Sequence, residues 1–352
     1  MKVDDLAQPD VTPSERYKLN RQIQELRAQL KATLEESSKE DKILRFADGL
    51  QEHELIIHPW KARARSSKKD RVTAVAFLSD CHFDEHVRPE QVAYMNEYTR
   101  EIALARLRNF FENIDRLAHH FIGNVTYDNL VLPFGGDFFS GDIHSELGET
   151  NEALILESVL YWANHLADGI NYLSEKFPKI VIPCVVGNHG RRTKKPRAKF
   201  RAQDNFDYFI YHMLARELRN NDKVQFVISE SADQMFQIYD TRFLLTHGDQ
   251  FRGGSGIAGL LSPLMIGDSR KRKREATVNR GYDYLVMGHW HERGMFKNII
   301  VNGSLVGYNE YAYVSNFAYA PPEQSFWVVD PRHGVTVSTP IFVKGVKEKY
   351  PR

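Results

Sequence analysis

Asp80-Cys-His82, Gly-Gly-Asp137, Gly-Asn188-His189, Thr-His247-Gly-Asp and Gly-His289-Trp-His291 follow one another at intervals of roughly 40 to 60 residues, most of them directly behind an apolar run. Carboxylate, amide oxygen and imidazole are the groups that hold adjacent divalent cations, with a carboxylate between the ions so that their mutual repulsion is tolerable. In Asp80-Cys-His82 and His289-Trp-His291 the ligands alternate, and an extended or turning backbone points alternate side chains to one side. Glycines ahead of Asp137, Asn188 and His289 admit the tight backbone of a strand-to-loop exit around a metal. The chemistry such a set performs is metal-assisted hydrolysis of a phosphate ester.

Residues of this kind need strands that deliver them. Val72 to Leu78, Leu130 to Phe134, Ile180 to Val186, Phe243 to Leu245 and Tyr284 to Met287 are apolar runs of strand length, each ending at a motif. Helical periodicity fills the earlier gaps, roughly Pro89 to Phe121, Asn151 to Lys176 and Gln203 to Asn220. This alternation predicts an α/β sheet system whose ligand-bearing loops gather at the strands' C-terminal edge. Further strands are expected at Val224 to Ser229, Met235 to Tyr239, Arg242 to Thr246, Asn298 to Val301, Phe326 to Val329 and Val335 to Val337. A hairpin turn is expected at Asp240-Thr241 and a longer one from Asp330 to Gly334. Upstream, Leu19, Ile23, Leu26, Leu30 and Leu34 mark an amphipathic helix from Ser14 to Glu36, started by Pro13. Its narrow seam suits either a short coiled-coil contact, in a homodimer or with a protein partner, or packing on the main domain. Ile43 to Trp60 is ambiguous, and the basic run Lys61 to Arg71 reads as a linker. The division expected is 1–70, an N-terminal helical extension with a basic linker, and 71–352, the catalytic domain.

The ordered motifs resemble the pattern of the calcineurin-like metallophosphoesterase family over about Thr73 to Ser304. The resemblance implies a four-layer α-β-β-α sandwich of two mixed sheets. It implies that Asp80, His82 and His291 hold one metal, that Asn188, His247 and His289 hold the other, and that Asp137 bridges them. It gives His189 a role against the phosphate or as general acid to the leaving oxygen. A hydroxide bridging two divalent ions would be the nucleophile. One departure concerns Gly190, where the family has Asp or Glu after Gly-Asn-His. Asp84, Glu85 and Asp142 are the candidates to orient His189 instead. Phe138-Phe139-Ser140 follows the bridging aspartate where purple acid phosphatases carry tyrosine, which favours manganese, with zinc, iron(II) or magnesium as alternatives, over a ferric-phenolate site.

Composition bounds the substrate weakly. The 352 residues carry 47 basic and 46 acidic side chains, so bulk charge selects no polyanion, whereas its distribution does. Arg191, Arg192, Lys194 and Lys195 open a run to Arg201 that must lie near the metals, and Arg270 to Arg274 is a second run. Cations flanking a phosphate site suggest a nucleic-acid phosphodiester. The alternatives are small nucleotides or other small phosphate esters and, further off, a non-catalytic scaffold. Tyr308, Tyr311, Tyr313 and Phe317 read as core or interface more than as base-stacking groups. His86 and His144 stay outside the ligand set, as do the remaining histidines. Two cysteines, Cys81 and Cys184, sit in or beside apolar runs and suggest buried thiols in a reducing compartment. With no signal-like or membrane-spanning run, the expectation is a cytoplasmic protein without a membrane partner.

Overall fold

The runs that end in motifs are continuously apolar because their strands bury both faces. The computed structural model describes residues 12–51, 69–251 and 261–345. One sheet has six strands in the order β11 (Gly334–Phe342), β10 (Glu323–Asp330), β1 (Asp70–Phe77), β2 (Val125–Val131), β3 (Ile180–Cys184) and β4 (Val224–Ile228). In it β1 to β4 are parallel and β10 and β11 are antiparallel additions. The other sheet orders β5 (Asp233–Ile238), β6 (Thr241–Thr246), β7 (Tyr284–Met287), β9 (Ile299–Val301) and β8 (Gly294–Phe296), with β6, β7 and β9 parallel and antiparallel strands at both edges.

Alternation along each strand sorts the side chains into layers. Val75, Phe77, Val131, Val185, Trp327 and Val329 of the first sheet pack against Ile238, Phe243, Leu245, Val286 and Ile300 of the second. Their neighbours Ala74, Ala76, Leu130, Ile182, Phe326 and Val328 face the other way. There they meet α2 (Arg100–Arg116), α4 (Ile155–Lys176) and α5 (Phe206–Glu217) through Leu107, Phe110, Trp162, Leu166, Ile210 and Leu214. On the outer face of the second sheet, Leu244, Leu285, Met287, Ile299 and Val301 cluster with Leu264 of α6 (Leu261–Ala276). The result is an α/β fold of four layers, helices outside two mixed sheets.

Local chemistry explains the boundaries. The periodic stretch from Pro89 breaks into a single 3-10 turn, Pro89–Val92, closed by Ala93 and Tyr94 in left-handed conformation, and α2 begins only where Thr99 accepts the Ile102 N–H. Likewise the segment from Asn151 is not helical until Ile155, after the short α3 (Ser145–Thr150). The helix α6 was not anticipated, because its apolar positions are outnumbered by the charges from Asp268 to Arg274. The turn after β10 closes on Asp330, whose carboxylate accepts the N–H groups of Arg332 and His333. Cys81 and Cys184 are free and buried.

The chain divides into two compact units, Met1–Ser66 and Ser67–Arg352. In the first, α1 (Pro13–Gln51) runs well past the expected end at Glu36, and Leu19, Ile23, Leu26, Leu30 and Leu34 are all exposed. Most of the expected linker and the stretch from Glu52 to Trp60 lie outside the described residues, while Asp70 and Arg71 already belong to β1.

Candidate metal centre

Every motif sits just beyond the C-terminal end of a parallel strand: Asp80 and His82 after β1, Asp137 after β2, Asn188 and His189 after β3, His247 after β6, His289 and His291 after β7. Backbone bonds then lock the loops to one another, the Asp80 N–H donating to Gly136 O and the His82 N–H to Asp137 O. Five of the predicted ligands, Asp80, His82, Asp137, His289 and His291, adopt left-handed backbone with φ between 47° and 70°. Aspartate and histidine are among the residues that tolerate this region best, though each such position still costs on the order of 1 kcal/mol. The adjoining glycines are there for close approach. A Cβ on Gly187 would stand 2.0 Å from Asp137 Oδ1, and one on Gly288 would stand 2.2 Å from Asp80 Oδ2.

All seven predicted ligands come together. Three groups of ligating atoms lie within 4.8 Å of one another: Asp80, His82 and His291; His82, Asp137 and His189; and Asp137, His247 and His289. Asp137 belongs to two of them, which is the placement a bridging carboxylate requires. His82 Nε2 faces His291 Nε2 at 3.1 Å, and His291 Nε2 lies 3.5 Å from Asp80 Oδ1. On the other side, His247 Nε2 is 2.9 Å from Asp137 Oδ2 and 3.1 Å from Asn188 Oδ1. Asp137 Oδ2 is buried without a well-aligned hydrogen bond despite that neighbour, so an acceptor points into the cluster unsatisfied. Lone pairs converging with too few protons between them fit a cation, and the donor set of imidazole, carboxylate and amide fits a divalent one. Asp80, His82, Asp137 and His247 are buried, while Asn188, His189, His289 and His291 are half-buried and form the accessible side.

Outer contacts fix the rings. His247 Nδ1 sits 2.8 Å from Gly135 O, which aims Nε2 inward, and His82 Nδ1 lies 3.3 Å from Glu85, itself held by Asn309 Nδ2. Asp80 accepts the His289 N–H and the Ser79 hydroxyl, and Ser79 Oγ in turn accepts from Asn302 Nδ2. His189 is oriented by none of the three carboxylates expected to do so. Its Nδ1 lies 2.8 Å from the Ser140 carbonyl, whereas Asp84 is taken up by Arg100, Ser158 and Trp162, and Glu85 by His82 and Asn309.

The sequence reading missed Asp207. This fully buried carboxylate, in the first turn of α5, accepts the backbone N–H groups of Asp137, Phe138 and Gly187, tying the two loops that carry Asp137 and Asn188. A Cβ on Gly190 would meet Asn205 Oδ1 at 2.3 Å and Asp207 Cγ at 3.1 Å, so the space beside residue 190 is already filled by the Asn205 amide and the Asp207 carboxylate. Nothing in the local sequence marks Asp207, since an acid in a helix's first turn is common.

Charge is shared unevenly among the groups. Burial alone would raise Asp137, but the imidazoles of His247 and His189 outweigh it and hold the carboxyl well below its usual range. Burial would lower His247, yet Asp137 and Asp80 push it up to about 10. Burial wins at His189 and His289, both pushed down to about 4. Asp207 is raised to about 6, by burial and then by the charge of Asp137. In the metal-free protein, then, His247 is the protonated imidazole, with Nε2 between Asp137 and Asn188.

Of the predicted substrate contacts, Arg191 is a wall of its own loop, donating to the carbonyls of Asn188, Thr193 and Lys194, and Arg192 pairs with Asp204 at 3.4 Å. Lys194 and Lys195 are exposed. In the run Arg270 to Arg274, three of the five cations are taken up by acids, while Arg270 and Lys273 are exposed. Lys271 is buried against Asp233 of β5, Arg272 pairs with Asp268 one helical turn away, and Arg274 with Asp233 and Glu275. Tyr308 is buried, while Tyr311, Tyr313 and Phe317 are exposed.

No protein-family model matches the sequence, and no curated protein does. Among solved structures the chain is similar to a predicted phosphoesterase from Streptococcus pneumoniae, with 12% identity and TM-score 0.28, covering 79% of this chain and 98% of that one. It is similar to the E. coli phosphoesterase Yfce, with 16% identity and TM-score 0.32, covering 76% and 98%. It is also similar to Vacuolar Protein Sorting 29 from Cryptosporidium parvum, with 13% identity and TM-score 0.30, covering 76% and 96%. Alignments this loose carry no weight for chemistry, which rests on the side chains described above. In the order of its layers and motifs the chain resembles the calcineurin-like metallophosphoesterases.

Proposed function

We propose that the chain is a divalent-metal-dependent phosphoesterase whose substrate is a nucleic-acid phosphodiester. The observation that carries the first part is the buried Asp137 carboxylate, shared by two of the three ligand clusters. Asp80, His82 and His291 would hold one ion, Asn188, His247 and His289 a second, and Asp137 both. Manganese is the ion we favour, since oxygen and imidazole ligands suit it. Two such ions supply polarisation of a phosphate oxygen, acidification of a water, and charge stabilisation at the entering and leaving oxygens of an in-line displacement.

The chain's own groups orient and move protons. Gly135 O and Glu85 fix the ligating rings, and Asp207 holds the Asp137 and Asn188 loops in register. His189 turns its Nδ1–H to Ser140 O, so any role against a phosphate or leaving oxygen needs a second proton, on Nε2. Burial disfavours that imidazolium, and an arriving phosphate anion opposes the shift. His189 is therefore charged only with substrate in place.

Nucleic acid is favoured because the loop from Arg191 to Arg201 begins three residues after Asn188, a proposed ligand. The absorption of Arg192, Lys271, Arg272 and Arg274 into ion pairs favours the second reading, a small phosphate ester. Manganese-supplemented digestion of labelled single- and double-stranded DNA and RNA, beside bis(p-nitrophenyl) phosphate and with Asp137→Asn as control, separates them. Polynucleotide cleavage that weakens with salt supports the first reading. Turnover confined to the aryl ester supports the second, and no turnover of either leaves a non-catalytic scaffold.

A further inference from the structure

The loop after His189 closes on itself at the metal centre. Arg191 pairs with Asn205 as a β-bridge, and the Phe206 N–H donates to Gly190 O. Inside lies a cavity of about 280 Å³ lined by Asn188, a proposed metal ligand, together with Arg191, Arg197, Lys199, Phe200 and Arg201. Its charge is lopsided. Asp204 is the one acid in the wall and it faces Arg192, while Arg197 and Lys199 have no carboxylate partner among the described residues. Arg201 gives one nitrogen to Asp249 at 2.7 Å, and its Nε is buried with no hydrogen-bond partner. At the same wall Phe200 is 74% exposed, in left-handed backbone with φ 56°. A bulky residue is an outlier in that region, and the fold holds this one there with its ring in solvent.

We infer that this cavity binds one nucleotide of a single-stranded polynucleotide beside the scissile phosphate, Phe200 stacking its base and Arg197, Lys199 and Arg201 holding its phosphate. The inference deepens the phosphoesterase reading and rests on it for the word scissile. Cations alone would suit any phosphate. An exposed aromatic face among them is what singles out a nucleotide, and it requires an unstacked base, hence a single strand.

The test is fluorescence anisotropy of a labelled oligothymidylate on the full chain, with metal chelated so that the probe is not cleaved. Phe200→Ala weakens binding roughly 5-fold or more with the salt dependence unchanged, and Phe200→Trp restores it. Arg197→Gln combined with Lys199→Gln lowers the slope of log affinity against log salt by about 0.7 for each phosphate contact removed. Thermal midpoints taken in parallel confirm that the variants are folded. Unchanged affinity in Phe200→Ala, an unchanged salt slope in the double variant, or a polyglutamate peptide binding as tightly as the oligothymidylate overturns the inference. Because the reading is binding without turnover, its failure leaves the hydrolysis assay above untouched, and the reverse holds too.

Discussion

His247 is held protonated in the metal-free protein, and a metal bound as proposed would displace that proton. With its Nδ1 on Gly135 O and its Nε2 between Asp137 and Asn188, the ring is an imidazolium in the metal-free protein, raised from 6.5 to about 10. Two consequences follow in sign. Metal uptake at neutral pH releases this proton, so apparent affinity climbs with pH up to about 10, as calorimetry in buffers of different ionisation enthalpy would register. Without metal, the stabilisation from the raised pKa is fully present below 6.5 and is lost as pH rises through about 10, which urea titrations across that window would show as a falling midpoint. An affinity independent of pH would contradict the pairing. His189 makes a separate prediction. If it protonates the leaving oxygen, His189→Gln should lower kcat and remove the basic limb of the kcat pH profile, which kinetics across that limb would show.

At the scale of elements, the strand ends were legible and their braces were not. Tyr284–Met287 ends at the residue expected, and β1, β3 and β6 lie within a few residues, because an apolar run stopped by a glycine- or serine-bearing motif leaves little freedom. The ligands were legible for the same reason, their types being restricted by the metal and by the left-handed backbone. Asp207 was invisible, since what distinguishes it is three N–H groups brought to it by loops 20 to 70 residues away. The fate of Arg270 to Arg274 was invisible likewise, because the acid that takes Lys271 and Arg274 sits on β5. Asp207→Ala would leave those three donors buried and unpaired at about 1 to 3 kcal/mol each. It should therefore lower the unfolding free energy by more than about 3 kcal/mol and weaken metal binding, read by denaturant melts and metal titration. Asp207→Asn, which keeps acceptor oxygen, should lose less. Equal losses in the two would show that the carboxylate acts by charge instead of by bracing the loops.

At the scale of the whole unit Ser67–Arg352, the candidate site exists only where two sheets meet. Asp80, His82, Asp137, Asn188 and His189 extend from one sheet and His247, His289 and His291 from the other, so the packing of Trp327 and Phe243 between the sheets sets the distance across which Asp137 meets His247. Trp327→Ala, on a strand that carries none of the ligands, should cost about 3 to 5 kcal/mol of stability and reduce metal affinity with it. A destabilised variant with undiminished metal affinity would show that the loops, and not the sheets, hold the centre. Metal content per folded chain after loading with manganese is the most direct measurement of all. The wild-type protein should hold about two ions and Asp137→Asn should fail to retain the pair; a wild-type chain that takes up none, or a variant that keeps both, would contradict the shared centre.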